Sequence, residues 1–207
     1  MFTALPPVTR ALILANIVVF LLQYVAREPL FAFFALWPIG VAFRPWQLVT
    51  YAFLHENFLH IFFNMFALFM FGPSLENYWG SRRFLIYYMA SVLAAGATQL
   101  AIQYVTERGY ATIGASGGVF GVLLAFAIFF PRQRLMLLFP PVPLPAWLFV
   151  TLYGVLELIL GVTGTQAGIA HFAHLGGMLG GALTLCYWWA AGTFPPRYRR
   201  GRDRGQA

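Results

Sequence analysis

Charged and reactive side chains are scarce in this sequence. Only 9% of the 207 residues are charged, against about 25% in ordinary soluble domains, and 60% are hydrophobic. The chain has no lysine, one aspartate (Asp203, in the polar tail) and one cysteine (Cys186, in an apolar run where we expect it to pack in the core). These absences exclude a disulfide framework, a cysteine-based metal site and a Ser-His-Asp triad inside the fold. The composition indicates an integral membrane protein.

Six apolar segments approach the roughly 20 residues that a helix needs to cross about 30 Å of hydrocarbon. Prolines and glycines separate them. We therefore predict an all-α membrane protein, a bundle of six transmembrane helices in residues 8–190, between a short N-terminal segment (1–7) and a basic tail (191–207). The predicted helices run approximately from Val8 to Val25, Tyr51 to Phe71, Phe84 to Tyr104, Ser116 to Phe130, Leu144 to Gly161 and Ile169 to Ala190.

The arginines are divided unevenly between the two ends of these segments. With the N-terminus in the cytoplasm, ten of the thirteen arginines lie on the cytoplasmic side, whereas Arg27, Arg44 and Arg108 lie on the outer side. We expect both termini to be cytoplasmic, in a membrane such as the bacterial inner membrane. Topology and contact with anionic lipids then explain the net charge of +7. We expect the lipid bilayer, and no nucleic acid, as a partner.

The fourth apolar segment is unusually short. It follows Gly114-Ala115-Ser116-Gly117, and its fourteen residues from Gly117 to Phe130 span roughly 21 Å as a helix. Ser116 would therefore lie about 10 Å below the outer boundary of the hydrocarbon. Irregular backbone at that depth must be buried in protein or must line a water-filled cavity. We expect the loop from Gly109 to Ala115 to dip into the protein and to meet water there.

Other polar residues are expected at the same depth as Ser116. In the predicted topology the second, fourth and sixth helices all run from outside to inside, so their first turns lie on the outer side. One asparagine and all four histidines of the chain lie near the starts of the second and sixth helices: His55, His60, Asn64, His171 and His174. Polar residues inside a membrane are costly and mark function or a buried pair.

Glycine spacing predicts which of these helices meet. Gly117 and Gly121 on the fourth helix, and Gly177 and Gly181 on the sixth, have the four-residue spacing of close-packed membrane helices. Facing glycines let two backbones approach. We therefore expect Ser116 to lie within hydrogen-bonding range of His174.

The histidine spacing disfavours a metal or haem site. His55 and His60 are five residues apart, about 140° around a helix, and are poorly placed to bind one ion. His171 and His174 are three apart and could share a face, but no carboxylate accompanies them in the sequence. We therefore expect no metal and no cofactor. Glu157, near the outer end of the fifth helix, is expected to accept a hydrogen bond or to extend towards the membrane surface.

Two motifs and three upstream residues together resemble a known family. They are Gly114-Ala115-Ser116-Gly117, the run Ala173-His174-Leu175-Gly176-Gly177-Met178-Leu179-Gly180-Gly181, and His55, His60 and Asn64. This combination resembles the rhomboid family of intramembrane serine proteases over nearly the whole chain.

The resemblance implies a role for each matching residue. It makes Ser116 the nucleophile and His174 the general base of a Ser-His dyad. It assigns the oxyanion hole to His60, Asn64 and the backbone N–H of Ser116, with His55 as a structural neighbour. In the family pattern, glycines follow the catalytic histidine after three and seven residues, and Gly177 and Gly181 satisfy this for His174 but not for His171. The implied substrates are single-pass membrane proteins, cut within the transmembrane segment near its outer end.

Two positions depart from the family pattern. The first loop of rhomboids often carries Trp-Arg, and here the pair is Trp46-Gln47, so any anchoring by that arginine is lost or passes to Arg44. The residue that stacks on the catalytic histidine is commonly tyrosine and is here Phe120. Stacking is expected to persist without the hydroxyl group. With no aspartate available, we expect His174 to be oriented by packing against Phe120 and the fourth helix.

Two other functions fit some of the same features. A transporter or channel would also use six helices, glycine packing and intramembrane histidines. Against this, the sequence shows no inverted repeat and its polar groups cluster on one side of the membrane. An inactive rhomboid relative that binds membrane proteins without cutting them is the second alternative, and the presence of both Ser116 and His174 argues against it.

Overall fold

The computed structural model describes residues 5–107, 109–136, 141–164 and 170–194. Its described residues form seven helices, with one 3₁₀ turn between the second and third and a two-stranded antiparallel hairpin before the sixth. The elements are α1 (Pro7–Phe34), α2 (Gln47–Thr50), the 3₁₀ turn (Tyr51–Phe53), α3 (Phe58–Trp79), α4 (Ser81–Thr106), α5 (Ser116–Phe129), β1 (Arg134–Met136), β2 (Pro143–Pro145), α6 (Ala146–Thr163) and α7 (His171–Ala190).

The fold is that of an α-helical membrane bundle, as predicted. Within the described residues, α1, α3, α4 and α6 are long and apolar enough to cross a membrane. The shortness of α5 is confirmed, because this helix has 14 residues. α7 has 20 residues and carries two histidines in its first turn.

Several predicted boundaries were wrong. The first helix continues beyond Val25, where the sequence predicted its end, to Phe34, through a break in helical geometry at Ala26. Tyr51 lies in the 3₁₀ turn, and the second long helix starts only at Phe58. The sequence did not predict the hairpin of β1 and β2, which lies between α5 and α6. α6 therefore starts at Ala146, whereas the prediction was Leu144.

α3 also continues through Pro73, where the sequence predicted its end. A proline removes one backbone donor, but membrane helices tolerate this where neighbouring groups compensate. Glu76 holds the following turn in place by accepting hydrogen bonds from the backbone N–H groups of Val8 and Thr9 and from the hydroxyl groups of Thr9 and Ser81, at 2.7–2.8 Å. The helix ends instead at Gly80, whose φ of +81° favours glycine.

α7 packs most extensively against α4 and α5. A Cβ atom at Gly177 would overlap the backbone of Gly117, so this pair of glycines sets the approach of α7 to α5. Gly121 lies close to the carbonyl of Gly177 and to the side chain of Ser91 on α4. Gly181 faces the Tyr87 hydroxyl of α4, so its predicted partnership with α5 was wrong. The glycines of α7 therefore pack against both α5 and α4.

Cys186 is exposed on α7, so the expectation that it packs in the core was wrong. Its neighbours Leu185 and Trp188 are the residues of this turn that face the bundle.

The segment before α5 is held by backbone pairing with the chain that follows α1. Leu36 and Thr112 exchange two backbone hydrogen bonds of 2.9 and 3.0 Å, and the Gly114 N–H donates to the Tyr51 carbonyl at 2.9 Å. Thr112 and Ala115 are buried. The loop therefore enters the protein interior, as expected from the shortness of α5.

Gln47 organises the loop that precedes α2. Its fully buried amide accepts hydrogen bonds from the backbone of Trp37 and Arg44 and donates to the carbonyls of Phe33 and Ala42. The Arg44 guanidinium lies 4.4 Å from the centre of the Phe33 ring. The Gln47 side chain thus links four backbone positions of this loop. The Arg44 guanidinium packs on the Phe33 ring.

Replacing Gly177 by alanine is expected to destabilise the protein. The added methyl group would overlap Gly117, and relieving such overpacking costs about 1–3 kcal/mol. The measurement is the thermal unfolding of the purified protein in detergent. Gly154→Ala on α6 is the matched control, because its nearest neighbour, the Met178 methyl group, would lie 3.4 Å away. Equal unfolding temperatures for the two variants would contradict the proposed role of the glycine contact.

Candidate active site

Ser116 and His174 meet where α5 and α7 begin. Ser116 is the first residue of α5, and His174 lies in the first turn of α7. The Ser116 Oγ and the His174 Nε2 are 2.8 Å apart, which is hydrogen-bonding distance. Both side chains are partly accessible, in a region where most neighbours are buried. The predicted approach of these two side chains is therefore confirmed.

Phe120 supports the imidazole of His174 from α5. The two rings are parallel within 6°, with their centres 4.3 Å apart. Phe120 lies four residues after Ser116, so both side chains project from the same face of the helix. The other side of Phe120 contacts Tyr153 of α6, at 4.9 Å between ring centres. The stacking predicted for Phe120 is confirmed.

The structure also places a carboxylate beside His174. The Glu157 Oε2 lies 2.8 Å from the Nδ1 of His174 and 2.7 Å from the Nδ1 of His171. Glu157 is buried in α6, and His171 is buried at the start of α7. The expectations that no carboxylate accompanies these histidines, and that packing alone orients His174, were wrong. That Glu157 accepts a hydrogen bond is confirmed, but its partners were not foreseen.

Glu157, His171 and His174 are also a set of side chains that could bind a metal ion, because their ligand atoms lie within 4.8 Å of one another. The ligands of a tetrahedral zinc ion, each about 2.0–2.1 Å from the metal, are about 3.3 Å apart. The carboxylate oxygen is closer than this to both nitrogens, at 2.7 and 2.8 Å. These distances fit hydrogen bonds directly between the side chains.

His60 lies on the other side of Ser116, next to Gly114. A Cβ atom at Gly114 would lie 2.7 Å from the His60 Nε2 and 3.7 Å from the Ser116 Oγ. Because Gly114 has no side chain, it leaves room for the His60 imidazole near the Ser116 hydroxyl. Gly114 also has φ of +126°, which residues with a side chain rarely adopt.

Asn64 and His55 surround His60. The Asn64 amide is buried one turn further along α3 and donates one N–H to the His60 carbonyl at 2.9 Å. His55 precedes α3, and its ring meets that of His60 edge to face, 4.9 Å between centres. Burial, with a smaller contribution from His60, lowers the pKa of His55 to about 3, so this imidazole is neutral at pH 7. His55 is thus a packing neighbour of His60.

A family model described as Rhomboid domain matches residues 42–191 of the chain. Rhomboid protein 1, mitochondrial, of Saccharomyces cerevisiae is 33% identical over 146 residues, which cover 66% of this chain and 40% of the yeast protein. Rhomboid protease AarA of Providencia stuartii is 28% identical over 200 residues, covering 84% of this chain and 70% of AarA. Rhomboid protease GluP of Bacillus subtilis is 32% identical over 136 residues, covering 66% of this chain and 24% of GluP.

The chain thus spans less than half the length of the yeast protein and of GluP. The matched region nevertheless includes every residue of the site, from His55 to His174, and most of the helical bundle. The protein is an integral membrane protein that belongs to the rhomboid family.

Proposed function

We propose that the protein is an intramembrane serine endopeptidase that cleaves transmembrane segments of membrane-protein substrates with Ser116 and His174. The observation that carries this proposal is the 2.8 Å contact between the Ser116 Oγ and the His174 Nε2. A serine hydroxyl is a weak nucleophile until an adjacent base accepts its proton, and a neutral imidazole performs this task near pH 7.

The reaction proceeds through an acyl-enzyme. The Ser116 Oγ attacks the carbonyl carbon of the scissile bond while its proton moves to the His174 Nε2. The tetrahedral intermediate collapses, the C–N bond breaks, and the leaving amine takes the proton from His174. Water then attacks the ester on Ser116 and gives a proton to His174. The C–O bond to Ser116 breaks, His174 returns the proton to the Ser116 Oγ, and the carboxylic acid product leaves.

His60, Asn64 and the backbone N–H of Ser116 are the proposed oxyanion donors. The His60 Nδ1 accepts a long hydrogen bond of 3.4 Å from the Glu56 backbone N–H. A neutral imidazole that accepts at Nδ1 carries its proton at Nε2, the atom that faces Gly114 and Ser116. Asn64 donates one amide hydrogen to the His60 carbonyl. The second N–H of the same amide group is the proposed oxyanion donor.

Substrates are proposed to reach Ser116 beside α6. Of the four candidate spanning helices, α6 has the smallest buried share. Its Tyr153 covers Phe120, which in turn covers His174. An outward displacement of the part of α6 that carries Tyr153 would therefore uncover Phe120 and open a path to the catalytic pair. The segment from Gly161 to Gly168 is proposed to cap this region, and its residues 165–168 lie outside the described residues.

The proposed setting is a bacterial inner membrane with both termini in the cytoplasm. The arginine distribution supports this orientation. In this setting residues 1–7 and 191–207 flank the six-helix domain of residues 8–190, and the active site opens to the outer side of the membrane.

Ser116→Ala is expected to abolish cleavage of a fluorogenic transmembrane peptide by the purified protein, because it removes the nucleophile and leaves the helices in place. Ser91→Ala is the matched control. Ser91 is a buried serine of α4 whose hydroxyl donates to the Tyr87 carbonyl, and its loss should preserve cleavage. Proteolysis by the Ser116→Ala protein at the wild-type rate would exclude this mechanism, and an intact wild-type protein that cleaves nothing would identify an inactive relative.

Gly114→Ala is expected to lower kcat by about 10²–10³-fold, the cost of losing one oxyanion donor. The methyl group would displace the His60 imidazole and would force a residue with a side chain into a positive φ. Gly109→Ala in the same loop provides the comparison, because a methyl group added there would have no neighbour within 4 Å. Steady-state kinetics on the same peptide measure both variants, and equal kcat values would refute the assigned role of His60.

A further inference from the structure

Glu157 occupies a position that the two-residue mechanism leaves unexplained. Its carboxylate is buried at the level of the active site, 4% exposed, although burying a charge is costly unless the charge is paired. One oxygen atom, Oε2, contacts the Nδ1 atoms of both His171 and His174. We propose that Glu157 is the positioning residue for the general base, so that the site works as Ser116, His174 and Glu157. This inference rests on the proposed protease function.

The hydrogen-bond directions support this role. An ionised carboxylate only accepts hydrogen bonds, and a protonated one could donate to only one of the two nitrogens that Oε2 contacts. Both Nδ1 contacts are satisfied together when each histidine donates its Nδ1–H to Glu157. For His174 this leaves the lone pair of Nε2 directed at the Ser116 hydroxyl, 2.8 Å away. This is the tautomer that can accept the serine proton.

The contact between Glu157 and His174 also stabilises the protonated form of His174. When His174 takes the proton of Ser116 it becomes an imidazolium ion on a side chain that is only 12% exposed. A carboxylate 2.8 Å from its Nδ1 offsets that charge, because charge pairs are strengthened where water is excluded. Phe120 restrains the plane of the ring, whereas Glu157 selects the rotation and the tautomer within that plane.

His171 holds Glu157 from the opposite side. Its Nδ1 contacts the same carboxylate oxygen at 2.7 Å, and its ring is buried and roughly perpendicular to that of His174, at 86°. The two imidazoles therefore fix the carboxylate from two directions. His171 does not contact Ser116 in the described network, so it provides the control that separates positioning of the base from attachment of α6 to α7.

The test compares Glu157→Gln with His171→Gln and the wild type. The probe is a small fluorophosphonate, which labels the active serine without requiring a substrate helix to enter beside α6. The glutamine amide can donate to His174 Nδ1 and so favours the tautomer whose Nε2 is protonated and cannot accept from Ser116. An amide in place of an orienting carboxylate costs up to about 10⁴-fold in soluble serine proteases with the geometry intact.

For Glu157→Gln we expect at least about a 10²-fold loss in the labelling rate and in kcat, with KM for the transmembrane peptide close to that of the wild type. His171→Gln removes one of the two imidazoles that fix the carboxylate but leaves its contact with the His174 Nδ1, so we expect a smaller loss than in Glu157→Gln. Labelling of Glu157→Gln at the wild-type rate would overturn the positioning role alone, as would an equal loss in the two variants. If the wild type itself is not labelled at Ser116, the protease function and this inference both fail.

A second measurement needs no variant at position 157. In wild-type protein with ¹⁵N-labelled histidine, NMR should show His174 protonated at Nδ1 and unprotonated at Nε2, with the resonance assigned by its loss in His174→Gln. A proton on Nε2 would overturn the inference even if Glu157→Gln fails to fold.

Discussion

The close approach of α5 and α7 is the constraint on which the rest of the site depends. A side chain at Gly177 would overlap the backbone of Gly117, so the two helices can take these positions only with glycine at the contact. Ser116 directly precedes one glycine, and His174 lies one turn before the other. The contact that permits the packing therefore also fixes the distance between hydroxyl and imidazole, with a precision that a flexible loop would not provide.

The two buried carboxylates of the bundle show how an apolar protein keeps charged groups. Glu76 accepts four hydrogen bonds from α1 and the start of α4, and these donors are backbone amides and hydroxyls that do not change charge. Glu157 accepts from two imidazoles, which can gain a proton. Both groups are paired, as buried polar groups must be, but only the second is paired with groups that can take part in proton transfer. The hydrogen-bond partners therefore distinguish Glu76, a structural carboxylate, from Glu157, a carboxylate suited to catalysis.

The helices and the Ser116–His174 contact could be predicted from the sequence, because apolar length and glycine spacing are local properties of the chain. The path of α3 through Pro73 could not, since it depends on Glu76 meeting α1 in space. The same is true of Gly181, whose partner is Tyr87 of α4. Glu157 was recognisable as the acid of the fifth helix, at about the depth of the histidines. Its contact with them depends on the rotation of α6 about its axis, which no spacing within that helix determines.

In a membrane, the attachment of α6 to the bundle depends on which of its contacts lipid can replace. Apolar side chains of α6 gain little by leaving lipid, because lipid tails are as apolar as the neighbouring helices. The hydrogen bonds of Glu157 have no such substitute, since hydrocarbon offers no donor for a carboxylate. The specific attachment of α6 to α7 is therefore concentrated at the level of His174. Along the rest of its length α6 can exchange protein contacts for lipid at small cost. In the proposed protease, a substrate segment would therefore displace α6 there while the carboxylate keeps its contact with His174.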